Sequence, residues 1–146
     1  MLLIVLGIFL IKDNNSFPKQ QEKSTTIKNA ETLKKVLNKK QIDVSIKGNA
    51  TQAPVLGSGK VISINNEEVQ VYEYESYDKA VLVSHQIAPD GYTINNIVYD
   101  WEIPPHFFQK DNVLVFYLGS NPTVITALFE ALGPQIAGSR STIPGF

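Results

Sequence analysis

Two similar stretches of this 146-residue chain limit its fold more than any other feature of the sequence. In each stretch, two segments rich in β-branched and aromatic residues are followed by a helical pattern. The stretches align where Val69–Tyr72 matches Val113–Phe116 and a serine follows, Ser76 in one case and Ser120 in the other. Two strand–strand–helix repeats can pair into one antiparallel sheet with the helices on one face. The chain is therefore predicted to be α+β, although chance similarity between two valine-rich strands explains the alignment equally well.

Local patterns predict the individual elements. Apolar residues at helical spacing and capping residues indicate helices, and alternation of apolar and polar residues indicates strands. Helices are expected at residues 30–40, 77–87 and 122–132, strands at 42–47, 60–64, 68–74, 97–102 and 113–118, and a connection at 104–112. The third helix has the strongest signals, because Asn121 is a good N-cap, Pro122 suits the first helical position and Gly133 suits the end.

The first eleven residues form an apolar segment, since Leu2–Ile11 contains only apolar residues and glycine. This run is short of the roughly 20 residues that cross a bilayer as a helix, but it has the length of a signal-peptide core. No basic residue precedes it and no small-residue cleavage site follows it. We therefore expect an upstream start that adds basic and apolar residues, which would make residues 1–11 part of a signal or membrane-anchor segment. The alternative is a first strand or helix buried in the core.

A polar segment, residues 12–26, separates the apolar start from the rest of the chain. It has one aromatic residue and no periodicity, which is typical of a flexible tether. Residues 27–138 are predicted to form a single α+β domain, and residues 139–146 a C-terminal tail. This organisation favours a bacterial protein outside the cytoplasm, either membrane-anchored or secreted.

The charges are segregated along the chain, although the formal net charge is only -1. Residues 1–60 contain ten lysines and four acidic residues, whereas residues 61–146 contain ten acidic residues and three basic ones. A basic region near a membrane is attracted to anionic lipid headgroups. A solvated, lysine-rich helix face is the plainer interpretation. The acidic second half, which also holds most of the aromatic residues, argues against a nucleic-acid partner.

Cysteine is absent from the chain. Its absence excludes disulfides, a thiolate nucleophile, thiolate metal sites and lipid attachment through a cysteine side chain. An exported chain of this kind must be stabilised by its core, which suits a bacterial protein better than a small eukaryotic secreted one.

A series of short motifs lies within about residues 55–138. In chain order they are Ile87-Ala88-Pro89-Asp90-Gly91, Trp101, Pro105-His106-Phe107-Phe108, Tyr117-Leu118-Gly119 and Leu132-Gly133-Pro134-Gln135-Ile136-Ala137-Gly138. This series resembles a group of small bacterial exported proteins of unassigned activity, many of them lipoprotein-like. Members usually carry a cysteine for lipid attachment, which this chain lacks. The resemblance implies an address outside the cytoplasm and no particular activity.

The candidates for chemistry lie around His106, since the chain has only two histidines. Asp100 and Glu102 precede it and could supply a carboxylate for acid–base catalysis. Trp101, Phe107 and Phe108 could form the walls of a ligand pocket with the histidine. No spacing resembles a metal motif and no cofactor is indicated. The plainer interpretation is that His106 hydrogen-bonds the connecting loop.

Three functional hypotheses remain at this point. The first is a non-catalytic, membrane-proximal binding domain that recognises an envelope protein or peptide through its sheet face or through residues 104–108. The second is a small hydrolase or metal-dependent enzyme centred on His106, and the third a cytosolic protein with a buried apolar start. Clustered aromatic residues support either an exposed binding patch or ordinary core packing; they are Tyr72, Tyr74, Tyr77, Tyr99, Trp101, Phe107, Phe108, Phe116 and Tyr117.

Overall fold

The structure is a computed structural model, and it describes residues 23–140. The predicted anchor (1–11), most of the predicted tether (12–22) and the end of the predicted tail (141–146) lie outside the described residues. Residues 23–26 have no regular secondary structure and are exposed.

An antiparallel sheet and three helices make up the described fold, so the α+β prediction is confirmed. The helices are α1 (Ala30–Lys39), α2 (Tyr77–Ser84) and α3 (Pro122–Leu132). The strands are β1 (Val44–Asn49), β2 (Gly59–Ile64), β3 (Glu67–Glu73), β4 (Thr93–Ile94), β5 (Ile97–Val98), β6 (Pro105–Lys110), β7 (Val113–Leu118) and β8 (Ala137–Gly138). Six strands form one sheet in the order β1-β2-β3-β7-β6-β8, and β4 and β5 form a separate hairpin.

Paired asparagines make two of the hairpin turns. Asn65 and Asn66 join β2 to β3, and Asn95 and Asn96 join β4 to β5. All four have positive φ angles, between 48° and 63°. Two consecutive left-handed residues give the tight turn whose twist matches the flanking strands, and asparagine tolerates that conformation better than most residues.

Side chains of the central strands alternate between two buried faces. On one face, α1 and α3 cover mainly valine and isoleucine side chains of the sheet together with Phe108. On the other face, α2, a 3₁₀ turn at Pro54–Leu56 and the β4–β5 hairpin cover aromatic side chains that include Tyr72, Phe107 and Phe116. We call these the α1/α3 face and the α2 face.

The position of α2 corrects the expectation that all helices share one face. Both halves have the order strand–strand–helix, but α2 and α3 lie on opposite faces. Val71 and Val115, which pair at the centre of the sheet, are 44 positions apart, whereas the N-caps Ser76 and Asn121 are 45 apart. Successive residues of an extended chain face opposite sides of the sheet, so one extra residue before the N-cap directs the helix to the other face. The two halves therefore do not have the same arrangement in three dimensions.

Two further expectations are wrong. Residues 104–112 are mostly strand β6 and its turn instead of a connection, and only Ile97 and Val98 of residues 97–102 are in a strand. Pro104-Pro105 favours a loop, but a proline is tolerated as the first residue of a strand, which is where Pro105 lies. The predicted α1 and α3 agree with the structure to within one residue, whereas α2 ends three residues earlier than expected.

Candidate functional site

His106 lies in β6 with 1% of its side chain exposed. Its Nδ1 is 2.8 Å from Oε1 of Gln135, and its Nε2 is 2.9 Å from the carbonyl oxygen of Gly119. The amide of Gln135 also donates from Nε2 to the carbonyl oxygen of Ser139 at 2.9 Å. His106 therefore links β6 to the end of β7 and to the segment that contains β8. Both ring nitrogens have protein partners, so neither is directed at a place where substrate could bind.

The ring of Tyr117 stacks beside His106, with 5.9 Å between the ring centroids. The Tyr117 hydroxyl donates to Glu67 at 3.0 Å and accepts from the backbone N–H of Asn121 at 3.2 Å. Burial, together with the adjacent Glu67 carboxylate, raises the pKa of Tyr117 to about 12. The phenol is thus a structural link between β7 and the start of α3, and it is protonated at neutral pH.

The two predicted carboxylates are not assembled with the histidine. Asp100 and Glu102 are exposed in the chain between β5 and β6, and neither has a hydrogen bond or ion pair to another residue within 23–140. His106 contacts Gln135 and Gly119 instead. The structure therefore does not form the acid–base cluster on which the enzyme hypothesis depends.

The two predicted phenylalanines belong to the core. Phe107 and Phe108 are fully buried, and because they are consecutive in β6 they lie on opposite faces of the sheet. Phe107 stacks on Phe116 with 4.5 Å between centroids and an interplanar angle of 9°. No single ligand can contact both side chains. The idea that residues 104–108 form an accessible binding loop is also wrong, since residues 105–108 are buried.

Trp101 is half-buried and fastens the β4–β5 hairpin to the α2 face. Its indole stacks on Tyr99 at 4.6 Å and tilts against Phe116 at 5.1 Å. Its Nε1 donates to the carbonyl oxygen of Gly91 at 3.0 Å, just before the hairpin. The tryptophan thereby joins the chain on both sides of the hairpin to the core beneath it.

Exposed hydrophobic side chains, most of which the sequence patterns do not single out, lie on the segment that covers this aromatic core. The described residues include seven exposed large hydrophobic side chains, of which six fall within residues 77–103. We call these six the outer apolar surface: Tyr77, Leu82, Tyr92, Ile97, Val98 and Ile103. Val98 is the most exposed, at 77%, and Ile97 is 47% exposed. Residues 77–103 form the cover of the α2 face, so the outer apolar surface is the solvent side of that cover.

Asn95-Asn96 is the sequence signal that could have located this surface. Paired asparagines between short β-branched segments are typical of a tight hairpin. Such a two-stranded hairpin exposes one of its faces unless another element covers it. The prediction of one strand over residues 97–102 does not recognise this hairpin, in which only Ile97 and Val98 form the second strand.

A buried polar group completes the α2 face at the end near β2. The side-chain oxygen of Gln70 accepts from the backbone N–H groups of Thr51 and Gln52 at 3.1 and 2.9 Å and from the Tyr72 hydroxyl at 3.0 Å. Tyr72 in turn accepts from the N–H of Ala53 at 2.9 Å. Burial raises the pKa of Tyr72 to about 12. This network fixes residues 51–53 against β3. The Gln70 oxygen and the Tyr72 hydroxyl are hydrogen-bonded within the protein.

Comparisons with known proteins give no relative from which to infer a function. No family model, curated protein or solved structure matches the chain. Within residues 23–140, no group of three or more histidine, aspartate or glutamate side chains could hold a metal ion. None of the helices in that range is long and apolar enough to cross a membrane.

Proposed function

We propose that this chain is a non-catalytic, membrane-proximal interaction domain outside the cytoplasm, and that it binds an envelope protein or peptide through the outer apolar surface. The observation that carries the proposal is the concentration of exposed hydrophobic side chains in residues 77–103. Single exposed hydrophobic residues are common on monomeric proteins, but a group of them on one cover segment is typical of an interaction site.

The rigidity of the hairpin supports this proposal. Ile94 is fully buried, and the backbone N–H of Asn95 donates to the carbonyl oxygen of Gln86, two residues after α2, at 2.9 Å. Trp101 holds the other end through its bond to Gly91. Ile97 and Val98 are thus exposed on the short strand β5 of a hairpin that is fixed on both sides. A partner that binds a fixed surface loses less conformational entropy than one that must order a loop.

A cleft beside the hairpin could accept a side chain of the partner. It has a volume of about 450 Å³ and lies between the 3₁₀ turn and α2, with Asn95 of the hairpin at its rim. Val55, Leu56 and Val83 give it an apolar floor, and Lys79 and Glu73 provide polar groups. Asn95, two residues before Ile97, connects this cleft with the exposed strand of the hairpin.

The evidence for a membrane-proximal location comes from the sequence. The apolar segment Leu2–Ile11, the polar residues that follow it and the resemblance to bacterial exported proteins all favour export. This part of the proposal is tested by fractionating cells that produce the full chain with a C-terminal tag, with protease added to intact and to lysed cells. Cleavage in intact cells supports export, whereas a protected tag in the cytosolic fraction contradicts it.

The binding surface is tested by photo-crosslinking in the cell. A photoreactive phenylalanine analogue replaces Tyr92, a partly exposed aromatic residue of the outer apolar surface. We expect a discrete protein adduct that disappears when Ile97→Ser and Val98→Ser are added. The matched control carries the same analogue at Ser45, an exposed residue of the edge strand β1. An adduct that survives the double substitution, or equal adducts at both positions, would contradict the proposal.

A further inference from the structure

A basic groove lies on the α1/α3 face. It has a volume of about 840 Å³ and is bounded by the segment before α1, the end of α1, the end of β6 and α3. Four lysines and one carboxylate, that of Glu130, are its charged groups; the lysines are Lys23, Lys39, Lys40 and Lys110. The groove therefore carries a clear excess of positive charge in a chain whose net charge is -1.

The fold brings these lysines together from distant parts of the sequence. The backbone N–H of Ile27 donates to Oδ2 of Asp111 at 2.8 Å, and the N–H of Asn112 donates to the carbonyl oxygen of Ile27 at 3.1 Å. These bonds fix the segment before α1 against the β6–β7 turn, which places Lys23 beside Lys110. A solvated helix face, the plainer interpretation of the sequence, accounts for Lys39 and Lys40 only.

The acidic second half of the chain neutralises the groove only in part, through Glu130 in the lining and through Asp111, which accepts from the lining residue Ile27. None of the four lysines forms an ion pair with another residue in the described range, 23–140. Glu130 is the one acidic residue among the lining residues. Glu31, on the first turn of α1, is the acidic residue of that helix, and Lys34 and Lys35 follow it. The positive charge on this face is therefore largely free to attract an anion.

We infer that this groove docks the domain on an anionic lipid surface. Residues 12–22 can span about 40 Å at most, so the groove is within reach of a membrane in which the apolar segment Leu2–Ile11 is anchored. Lysines within about 10 Å of a membrane containing anionic lipids are attracted to its negative surface potential. The inference rests on the membrane-proximal part of the proposed function, and it is independent of the partner surface.

The groove and the outer apolar surface lie on opposite sides of the domain. The groove belongs to the α1/α3 face, whereas the outer apolar surface covers the α2 face on the opposite side of the sheet. A domain that rests on lipid through its lysines keeps Ile97 and Val98 accessible to a partner. Membrane docking would thus orient the partner surface away from the bilayer.

Vesicle binding by the full chain tests the inference. We compare vesicles of phosphatidylcholine with vesicles of equal parts phosphatidylcholine and phosphatidylglycerol, because the apolar N-terminal segment contributes to binding in both cases. The triple variant Lys39→Gln, Lys40→Gln, Lys110→Gln should lower the preference for the anionic vesicles by about 100-fold, since each lysine near the surface contributes about fivefold. The preference should also decrease at high salt.

The matched control replaces three exposed lysines outside the groove, Lys47→Gln, Lys60→Gln and Lys79→Gln, for the same change in net charge. It should retain the preference of the unmodified chain. An equal loss in both triple variants, or no preference for anionic vesicles, would overturn the inference even if the chain still binds both vesicles and the membrane-proximal proposal stands. Complete competition by inorganic phosphate at matched ionic strength would instead identify a site for a free anion and would also overturn it.

Discussion

The two faces of the sheet are built differently, although they share the same strands. The α1/α3 face has a mainly aliphatic core under two helices of ten and eleven residues. The α2 face has an aromatic core under an eight-residue helix, a 3₁₀ turn and a two-stranded hairpin. Short elements have little stability of their own. The comparison shows that aromatic contacts take the place of long secondary structure where the molecule exposes its hydrophobic residues.

Helix capping is strongest at α1. Asn29 and Thr32 form a reciprocal capping box at the start of α1, and Glu73 accepts from the N–H of Ala30 at 2.9 Å. The α2 helix has a single side-chain cap, in which the N–H of Lys79 donates to Ser76 at 3.1 Å. Three side chains thus support the start of α1, whereas α2 and α3 each have one side-chain cap. Five variants test the difference between the two faces.

Phe107→Ala should have the largest effect. It removes a fully buried ring and its stack on Phe116, which should cost about 3–5 kcal/mol of unfolding free energy. Phe108→Ala is the matched control, because it deletes the same side chain on the opposite face. Both should lower the urea midpoint, but only Phe107→Ala should accelerate hydrogen exchange at Asn95 and Tyr99. Equal exchange in the two variants would show that the faces are not independent.

His106→Ala should lower the free energy of unfolding by about 2–3 kcal/mol, because it leaves the Gln135 side chain and the Gly119 carbonyl oxygen without their ring-nitrogen partners in a buried place. The control is His85→Ala, at an exposed position at the end of α2, where a change within about 0.5 kcal/mol is expected. Thermal and urea denaturation provide the measurement. Unchanged stability together with a lost biochemical activity would return the enzyme hypothesis to consideration.

Trp101→Phe should lower the free energy of unfolding by about 1 kcal/mol. The phenyl ring can keep part of the stacking on Tyr99, but it has no N–H to donate to Gly91. Exchange of the hairpin amides should become faster while those of α1 remain protected. If α1 amides exchange faster to the same degree, Trp101 stabilises the whole domain and not the hairpin alone.

Asn29→Ala should lower the free energy of unfolding by about 1 kcal/mol at most, because Glu73 still supports the start of α1. Its effect should be confined to the α1/α3 face. Amide exchange measured by NMR should change in α1 and not in residues 92–99. Substitution to Asp, which preserves the cap, serves as the control.

Ile97→Ser combined with Val98→Ser should have the smallest effect on stability, less than about 0.5 kcal/mol, because both side chains are largely exposed. The same variant should abolish the adduct at Tyr92. A large loss of stability would mean that these side chains stabilise the fold. Their presence would then not indicate a binding partner.

The α1/α3 face was largely predictable from the sequence, and the α2 face was not. Asn121, Pro122 and Gly133 define α3 by local signals, and α1 has a clear apolar stripe. In contrast, the N-cap of α2 lies five positions after Val71 and that of α3 six positions after its partner Val115, a difference that the alignment of Ser76 with Ser120 conceals.

The surroundings of His106 could not be predicted, because they are formed by the tertiary fold. Its partners Gly119 and Gln135 lie 13 and 29 positions away, in segments with no pattern that links them to β6. The exposure of Val98 was equally hidden, since a β-branched residue in a strand is apolar whether its face is covered or open. Only the Asn95-Asn96 turn pointed to a separate hairpin.

Paired photo-crosslinking in intact cells tests most directly the central claim that the two faces have different neighbours. One chain carries a photoreactive residue at Tyr92 on the outer apolar surface, and a second chain carries it at Lys35 on the exposed side of α1. We predict a protein adduct from Tyr92 and a lipid adduct from Lys35. The same adduct from both positions, or lipid at Tyr92 and protein at Lys35, would contradict the account.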